Sequence, residues 1–261
     1  MWYDVILIFV ILTYFRAIEG KRESVYQRSK NRISYGRESE DSGRPYMVYN
    51  VIIMKNGKVK SCGGALASSR YIITAGHCFP EDSDIWSIAV VYGTNDITSK
   101  DKGHQVTKTY IRHPLYNVRS DGFAQNDIAL IKLDEPLNFT DKVQTIRLPN
   151  KSNEHESFLG ASATVSGWGL TETGHPSNVL KEANVKIIDD DIICRGPSSL
   201  ICAIGTNDET PCSGDSGSPL IWNDVLIGIV SSGFCFSDSY YTRVTRYLKW
   251  IAQNSDIKIN N

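Results

Sequence analysis

Gly214-Asp215-Ser216-Gly217-Ser218-Pro219-Leu220 is the stretch on which the reading of this chain turns. Two glycines and two serines within five residues mark a tight loop. The loop begins just after Cys212 and leads to Val225-Leu-Ile-Gly-Ile-Val230, a β-branched run that reads as a strand. A serine hydroxyl is a poor nucleophile at neutral pH and needs a base to take its proton. The search therefore moves outward to histidines and carboxylates. Thr74-Ala75-Gly76-His77-Cys78 ends one strand-like run, and Asn126-Asp127-Ile128-Ala129-Leu130 begins another. Taken singly, a histidine before a cysteine is usually a packed or surface residue, Asn-Asp a turn, and Gly-Asp-Ser-Gly a loop. His104, His113, His155 and His175 are read in that ordinary way. The three segments gain meaning from occurring together in the order His, Asp, Ser.

In that order and spacing the segments resemble the three catalytic motifs of the chymotrypsin-like serine proteases, over about Ile33 to Ile251. The same trio occurs on unrelated folds in other chain orders, Asp–His–Ser in subtilisin-like enzymes and Ser–Asp–His in α/β-hydrolases. The hydrolases also want G-x-S-x-G, where this chain has Ser218 in place of the last glycine. The resemblance implies an all-β fold: two six-stranded antiparallel β-barrels and a C-terminal α-helix. It implies a serine endopeptidase with Ser216 as nucleophile, His77 as general base and Asp127 as its orienting carboxylate. By the same likeness the amides of Gly214 and Ser216 form the oxyanion hole, and Ser231 hydrogen-bonds Asp127.

The residue pattern agrees with short strands. Tyr46–Met54, Tyr71–Thr74, Ile88–Tyr92, Ile128–Leu133 and Val225–Val230 are β-branched or aromatic runs with Gly, Pro, Asn and Asp clustered between them. Helical spacing is clear only near the end, at Val244, Tyr247, Leu248 and Ile251. Expected boundaries are a first barrel over about 33–148, a second over about 149–244 and a helix over about 244–254, the barrels meeting near Leu148-Pro149.

Composition bounds the rest. The 261 residues carry 28 Lys+Arg against 29 Asp+Glu, a net charge of −1, which argues against nucleic acid or an anionic membrane as partner. A hydrophobic share of 41% excludes wholesale disorder. Val5–Phe15 is apolar over 11 residues, short of the roughly 20 a spanning helix needs, so residues 1–20 read as a signal peptide of a secreted protein without a membrane anchor. Residues 21–32 are basic and nearly free of apolar side chains, and read as a propeptide preceding a protease domain over 33–261. The resemblance implies a zymogen cut after Arg32, whose new Ile33 amino terminus pairs with Asp215. The Ile33-Ser34-Tyr35-Gly36 start departs from the family's usual I-V-G-G.

In an extracellular setting six cysteines are read as disulfides, and spacing alone leaves 15 connectivities open. The resemblance pairs Cys62 with Cys78, Cys194 with Cys202, and Cys212 with Cys235. Asn138-Phe-Thr140 and Asn150-Lys-Ser152 are N-glycosylation acceptors. Thr94, Asp96, Ser99 and Asp101 fit a calcium loop poorly, so neither metal nor cofactor is expected. The implied partners are protein or peptide substrates, an activating trypsin-like protease and protein inhibitors of a monomeric enzyme.

Thr210, six residues before Ser216, falls by resemblance at the base of the specificity pocket, where trypsin-like members carry Asp. Gly233 keeps one wall open, and Ser239, where glycine is usual, makes the pocket shallower. This favours a chymotrypsin- or elastase-like taste for apolar residues. A one-residue slip would instead put Asp238 in the wall and favour basic residues, with Glu209 a fainter candidate for that role. The rivals are a catalytically inactive regulatory homologue, which usually lacks a triad member, and an esterase.

Overall fold

The computed structural model describes residues 36–40, 43–79, 84–150, 153, 156–171, 173–188, 196–206, 209–233 and 238–259. The signal and propeptide segments, Arg32, Ile33, Cys194 and Cys235 lie outside them. In chain order the strands are β1 (Arg37–Glu38), β2 (Met47–Met54), β3 (Val59–Leu66), β4 (Tyr71–Thr74), β5 (Ile85–Tyr92), β6 (Gly103–Thr107), β7 (Tyr110–Arg112) and β8 (Asn117–Val118). They continue with β9 (Ala124–Gln125), β10 (Ala129–Lys132), β11 (Ser162–Gly167), β12 (Lys181–Ile188), β13 (Leu200–Gly205), β14 (Pro219–Trp222), β15 (Val225–Gly233) and β16 (Asp238–Arg243). A 3₁₀ turn at Val244–Tyr247 runs into the helix α1 (Leu248–Asn254).

The C-terminal half forms the closed barrel. β11 to β16 pair antiparallel in the order β12-β11-β14-β15-β16-β13, and β12 also pairs with β13, which closes six strands on themselves. Closure leaves no free edge along that ring. The interior is filled by residues two apart, Ala183, Val185 and Ile187 from β12 with Val165, Leu220, Ile227 and Tyr241 from its neighbours, as the two-residue period of a strand requires. β1 is added at the start of β12, Arg37 opposite Glu182 and Glu38 opposite Lys181.

The N-terminal half is a curled seven-stranded sheet in the order β6-β5-β2-β3-β4-β10-β7, with no ladder between its first and last strands. The reason is a bend. β6 and β7 are one stretch of chain interrupted at Lys108 and Thr109, the first part pairing with β5 and the second with β10. One kinked strand thus spans both edges, so the first of the two expected barrels is joined through the chain and not by a ladder. β2 lies between β3 and β5 and is buried along nearly its whole length. This explains why Met47–Met54 is apolar at nearly every position instead of alternating. Its one amide side chain, Asn50, is fully buried and donates to Gly63 O at 3.0 Å.

The helix lies where the spacing puts it. Val244, Tyr247, Leu248 and Ile251 are buried, and the Tyr247 and Trp250 rings rest 5.5 Å and 5.0 Å from the His113 ring. Tyr247 Oη also donates to Asn126 Oδ1, so the end of the chain braces the residue next to Asp127. No helix among the described residues is long and apolar enough to cross a membrane.

Candidate active site

His77 sits on a 3₁₀ turn, Gly76–Cys78, entered from β4 through an extended Ala75. The turn is tied down on both sides. The Cys62–Cys78 disulfide links it to β3 across 16 residues of sequence, and Lys60 Nζ donates to His77 O at 2.8 Å. A Cβ at Gly76 would stand 3.2–3.3 Å from Ile128 N, Tyr116 and Asp127 Oδ1, so glycine lets the turn approach the start of β10 without displacing these groups. Burial pushes the Lys60 ammonium below its usual pKa, against a pull from the Asp127 charge.

Asp127 is completely buried at the start of β10, just after Asn126 in the left-handed region at φ 51°. Its carboxylate is well supplied with donors. Oδ1 accepts His77 N at 2.7 Å, while Oδ2 accepts His77 Nδ1 at 2.8 Å and Ser231 Oγ at 2.5 Å. Thr242 Oγ1 adds a bond to the Asp127 carbonyl at 2.8 Å. Because a carboxylate only accepts, a neutral His77 ring in this contact carries its proton on Nδ1, which leaves the lone pair on Nε2. Ser231 on β15 and Thr242 on β16 belong to the closed barrel, so these bonds lock the two sheets together at the carboxylate.

Ser216 stands on the turn between β13 and β14. Gly214 at φ 99° and Gly217 at φ 80° adopt conformations closed to ordinary side chains. A Cβ on Gly214 would also stand 3.0 Å from Gly169 Cα. The turn is held by Ser218 N on Asp215 O at 2.9 Å, Gly217 N on Val230 O at 2.9 Å, and Gly63 N on Ser216 O at 2.8 Å. The last of these joins the loop to β3 of the other sheet. Among the described residues no hydrogen bond joins Ser216 to His77, and neither Gly214 N nor Ser216 N is used by a backbone acceptor. Among the described residues these two amides are therefore left without a backbone acceptor.

Asp215 points the other way, into the protein, and is 1% exposed. Oδ1 accepts Gly169 N at 2.8 Å and Oδ2 accepts Cys212 N at 2.9 Å. Burial outweighs these bonds and pushes its pKa up to about 6.

Around the expected pocket, Gly233 lies opposite Ser239 across β15 and β16, with room for a Cβ only 3.1 Å from Ser239 Cα. Ser239 is fully buried; its hydroxyl donates to Ala203 O at 3.2 Å and meets Tyr241 Oη at 2.9 Å. Asp238 is the next residue on the strand, opposite Ile204, and so projects to the other face. Glu209 is drawn to β12, where Oε2 accepts Asn184 N at 2.7 Å. Thr210 is buried. Cys202 and Cys212 are disulfide-bonded, with their expected partners outside the described residues. Asn138 is exposed and Asn150 half-buried, Ser152 of its acceptor motif lying outside the described residues. Asp96 Oδ1 is occupied by Thr98 N and Oγ1 in a local turn.

Lys60 and Thr242 were not singled out in the sequence. A lysine on a strand reads as a solvated charge and a threonine as a strand former, and only the fold brings them to His77 and Asp127.

A family model described as Trypsin matches residues 33–251. A trypsin of Phaedon cochleariae is 32% identical over 211 residues, covering 75% of this chain and 79% of its own. A chymotrypsin of the same organism is 32% identical over 233 residues, covering 85% and 81%. The solved structure of HL collagenase superimposes with a TM-score of 0.77 at 32% identity, covering 87% of this chain and all of that one.

Proposed function

The chain belongs to the trypsin family of serine proteases, and from that premise we propose that it cleaves peptide bonds through an acyl-enzyme on Ser216. The observation that carries this is the relay Ser231–Asp127–His77, which leaves Nε2 as a base, beside the unspent Gly214 and Ser216 amides. Ser216 Oγ attacks the carbonyl carbon as its proton passes to His77 Nε2, and Asp127 stabilises the imidazolium. The carbonyl oxygen takes the negative charge between the two amides; one such donor contributes roughly 3–4 kcal/mol. Collapse breaks the C–N bond, and His77 returns the proton to the leaving amine. Water then repeats the sequence on the ester.

Further parts of the reading concern specificity and activation. By resemblance Thr210, Ser231, Gly233 and Ser239 are assigned to the specificity pocket, none of them charged, and Ser239 and Glu209 already have partners within the protein. We assign it a preference for apolar residues before the scissile bond. The relatives' names cannot choose, since a trypsin and a chymotrypsin are equally identical to this chain. We also assign residues 1–20 to secretion and residues 21–32 to a propeptide removed by a trypsin-like protease. The freed Ile33 ammonium would neutralise Asp215, a buried carboxylate held only by amides among the described residues.

The test is activation with trypsin, labelling with an organophosphorus reagent, and profiling on a mixed peptide library. Label on Ser216, lost in Ser216→Ala, with cleavage after apolar residues is expected. An unlabelled protein, or one that hydrolyses esters but no peptide, overturns the protease reading. Cleavage confined to Lys and Arg overturns the pocket reading alone.

A further inference from the structure

Asn50 is the one amide in the apolar strand β2, fully buried and opposite Cys62 of β3 and Val90 of β5 in the two ladders. Its Nδ2 donates to Gly63 O at 3.0 Å, while its Oδ1 is buried and has no hydrogen-bond partner among the described residues. Only Nδ2 can donate to a carbonyl, so this contact fixes which way the amide faces. A buried acceptor left unmet is costly, and an apolar side chain of similar size would avoid the cost. The rest of the strand uses such side chains.

What the amide holds lies on the far side of Gly63. β4 pairs with β3 only at Ala65 and Leu66, so the Gly63 backbone takes other partners. Its N–H donates to the carbonyl of Ser216 at 2.8 Å. Its own carbonyl accepts two buried donors, Asn50 Nδ2 at 3.0 Å and Thr74 Oγ1 at 2.7 Å. A Cβ on Gly63 would overlap Ser218, and one on Gly217 would overlap Thr74 Oγ1 and stand 2.7 Å from Gly63 O. Gly63 therefore lies against Ser216, Gly217 and Ser218 in turn. With no side chain of its own, it depends on the donors that β2 and β4 supply.

We propose that Asn50 is a positioning residue for the nucleophile, its amide fixing the Gly63 backbone that holds the Ser216 carbonyl. This rests on the protease reading above and adds the group that ties the Ser216 loop to the other sheet. Two donors on one carbonyl restrict its orientation more than one does. A small displacement of Ser216 slows attack on the substrate without touching the groups that bind the substrate's side chains. When an apolar residue replaces Asn50, Gly63 O keeps Thr74 Oγ1 and the unmet Oδ1 disappears, so no new buried group is orphaned. Stability and rate should then move in opposite directions.

The experiment compares trypsin-activated wild type, Asn50→Leu and Asn50→Val. It reads kcat and KM on one peptide substrate, the rate of labelling by an organophosphorus reagent, and urea unfolding of the same proteins carrying Ser216→Ala. The urea midpoint should be unchanged or raised. The kcat and the labelling rate should fall about threefold to tenfold, as loss of one neutral hydrogen bond implies, with KM unchanged. Unchanged kcat and labelling rate would make Asn50 a packing residue and overturn the proposal. A fall in kcat accompanied by a lower urea midpoint would overturn it as well, since general loosening would then account for the rate. The two variants differ in size, so if one fails to fold the other decides, and failure of both would show the amide to be structural. A wild type that takes no label would instead overturn the protease reading itself.

Discussion

Asp127 is the residue with the most to lose. Its carboxylate takes two bonds from His77 and one from Ser231, and it has no access to water that could replace any of them. Asp127→Asn keeps the shape but turns one acceptor into a donor. His77 Nδ1 then faces an NH₂ group and the ring favours the tautomer with its proton on Nε2, where the base is needed. A loss on the order of 10⁴ in kcat is expected, with KM little changed. Ser231→Ala removes one supporting bond and should cost about tenfold. Steady-state kinetics on one peptide substrate checks both, and equal losses in the two variants would contradict these separate roles. The segments that hold His77 and Asp127 stood out in the sequence because the proposed chemistry demands particular side chains in a particular order, and the fold hydrogen-bonds the two. Lys60 and Asn50 did not stand out, because their significance depends on what the folded chain places, or fails to place, around them.

Among the elements, the turn Gly76–Cys78 is the one that owes its position to a covalent tie. With only three residues it has no helical cooperativity of its own. The Cys62–Cys78 bridge closes a separation of 16 residues, a loop for which chain entropy suggests about 3 kcal/mol. Cys62→Ser with Cys78→Ser should lower the urea-unfolding free energy by about that amount and also reduce kcat, since His77 rides on the freed turn. Unchanged stability and kcat would show that β3 and Lys60 hold the turn without the bridge. Strands announced themselves unevenly. β2 and the first part of β15, Val225–Val230, are evident as mostly apolar runs because both strands are flanked by strands and covered by the core. β1, β8 and β9 are pairs of residues, Arg37-Glu38, Asn117-Val118 and Ala124-Gln125, with no periodicity to detect. Their ladders are set by partners. At β1 the partners include buried charges: Lys181 Nζ on Glu38 Oε1 at 2.6 Å, and Glu182 shared by Arg37, Arg44 and Ser39. β3 carries Gly63-Gly64 inside the strand, where a Cβ on Gly63 would overlap Ser218 and one on Gly64 would stand 2.8 Å from Asn50 Nδ2.

At the scale of the whole molecule, the two sheets meet through polar groups that must be matched: Ser231 and Thr242 on Asp127, and Gly63 N on Ser216 O. Asp215 is the group in this region left without a cation among the described residues, and it makes the stability of the chain depend on pH in a predictable direction. Its folded pKa is raised to about 6 by burial, against an ordinary value of about 3.9. Between these values the folded chain holds a proton that the unfolded chain has released, so stability falls as pH rises through the window. The cost is fully present above about 6. Cleavage after Arg32 would place an ammonium opposite the carboxylate, pull its pKa down and remove that slope. The ammonium contributes no slope of its own there, because its unfolded pKa of about 7.7–8.0 lies above the window. Urea unfolding from pH 4 to 7 should therefore show the uncleaved Arg32→Gln protein losing stability relative to cleaved protein, both carrying Ser216→Ala to prevent autolysis. Other carboxylates titrate alike in the two forms and cancel in the difference. Parallel curves would mean that Asp215 already has a countercharge before cleavage, and the activating role assigned to Ile33 would fall with it.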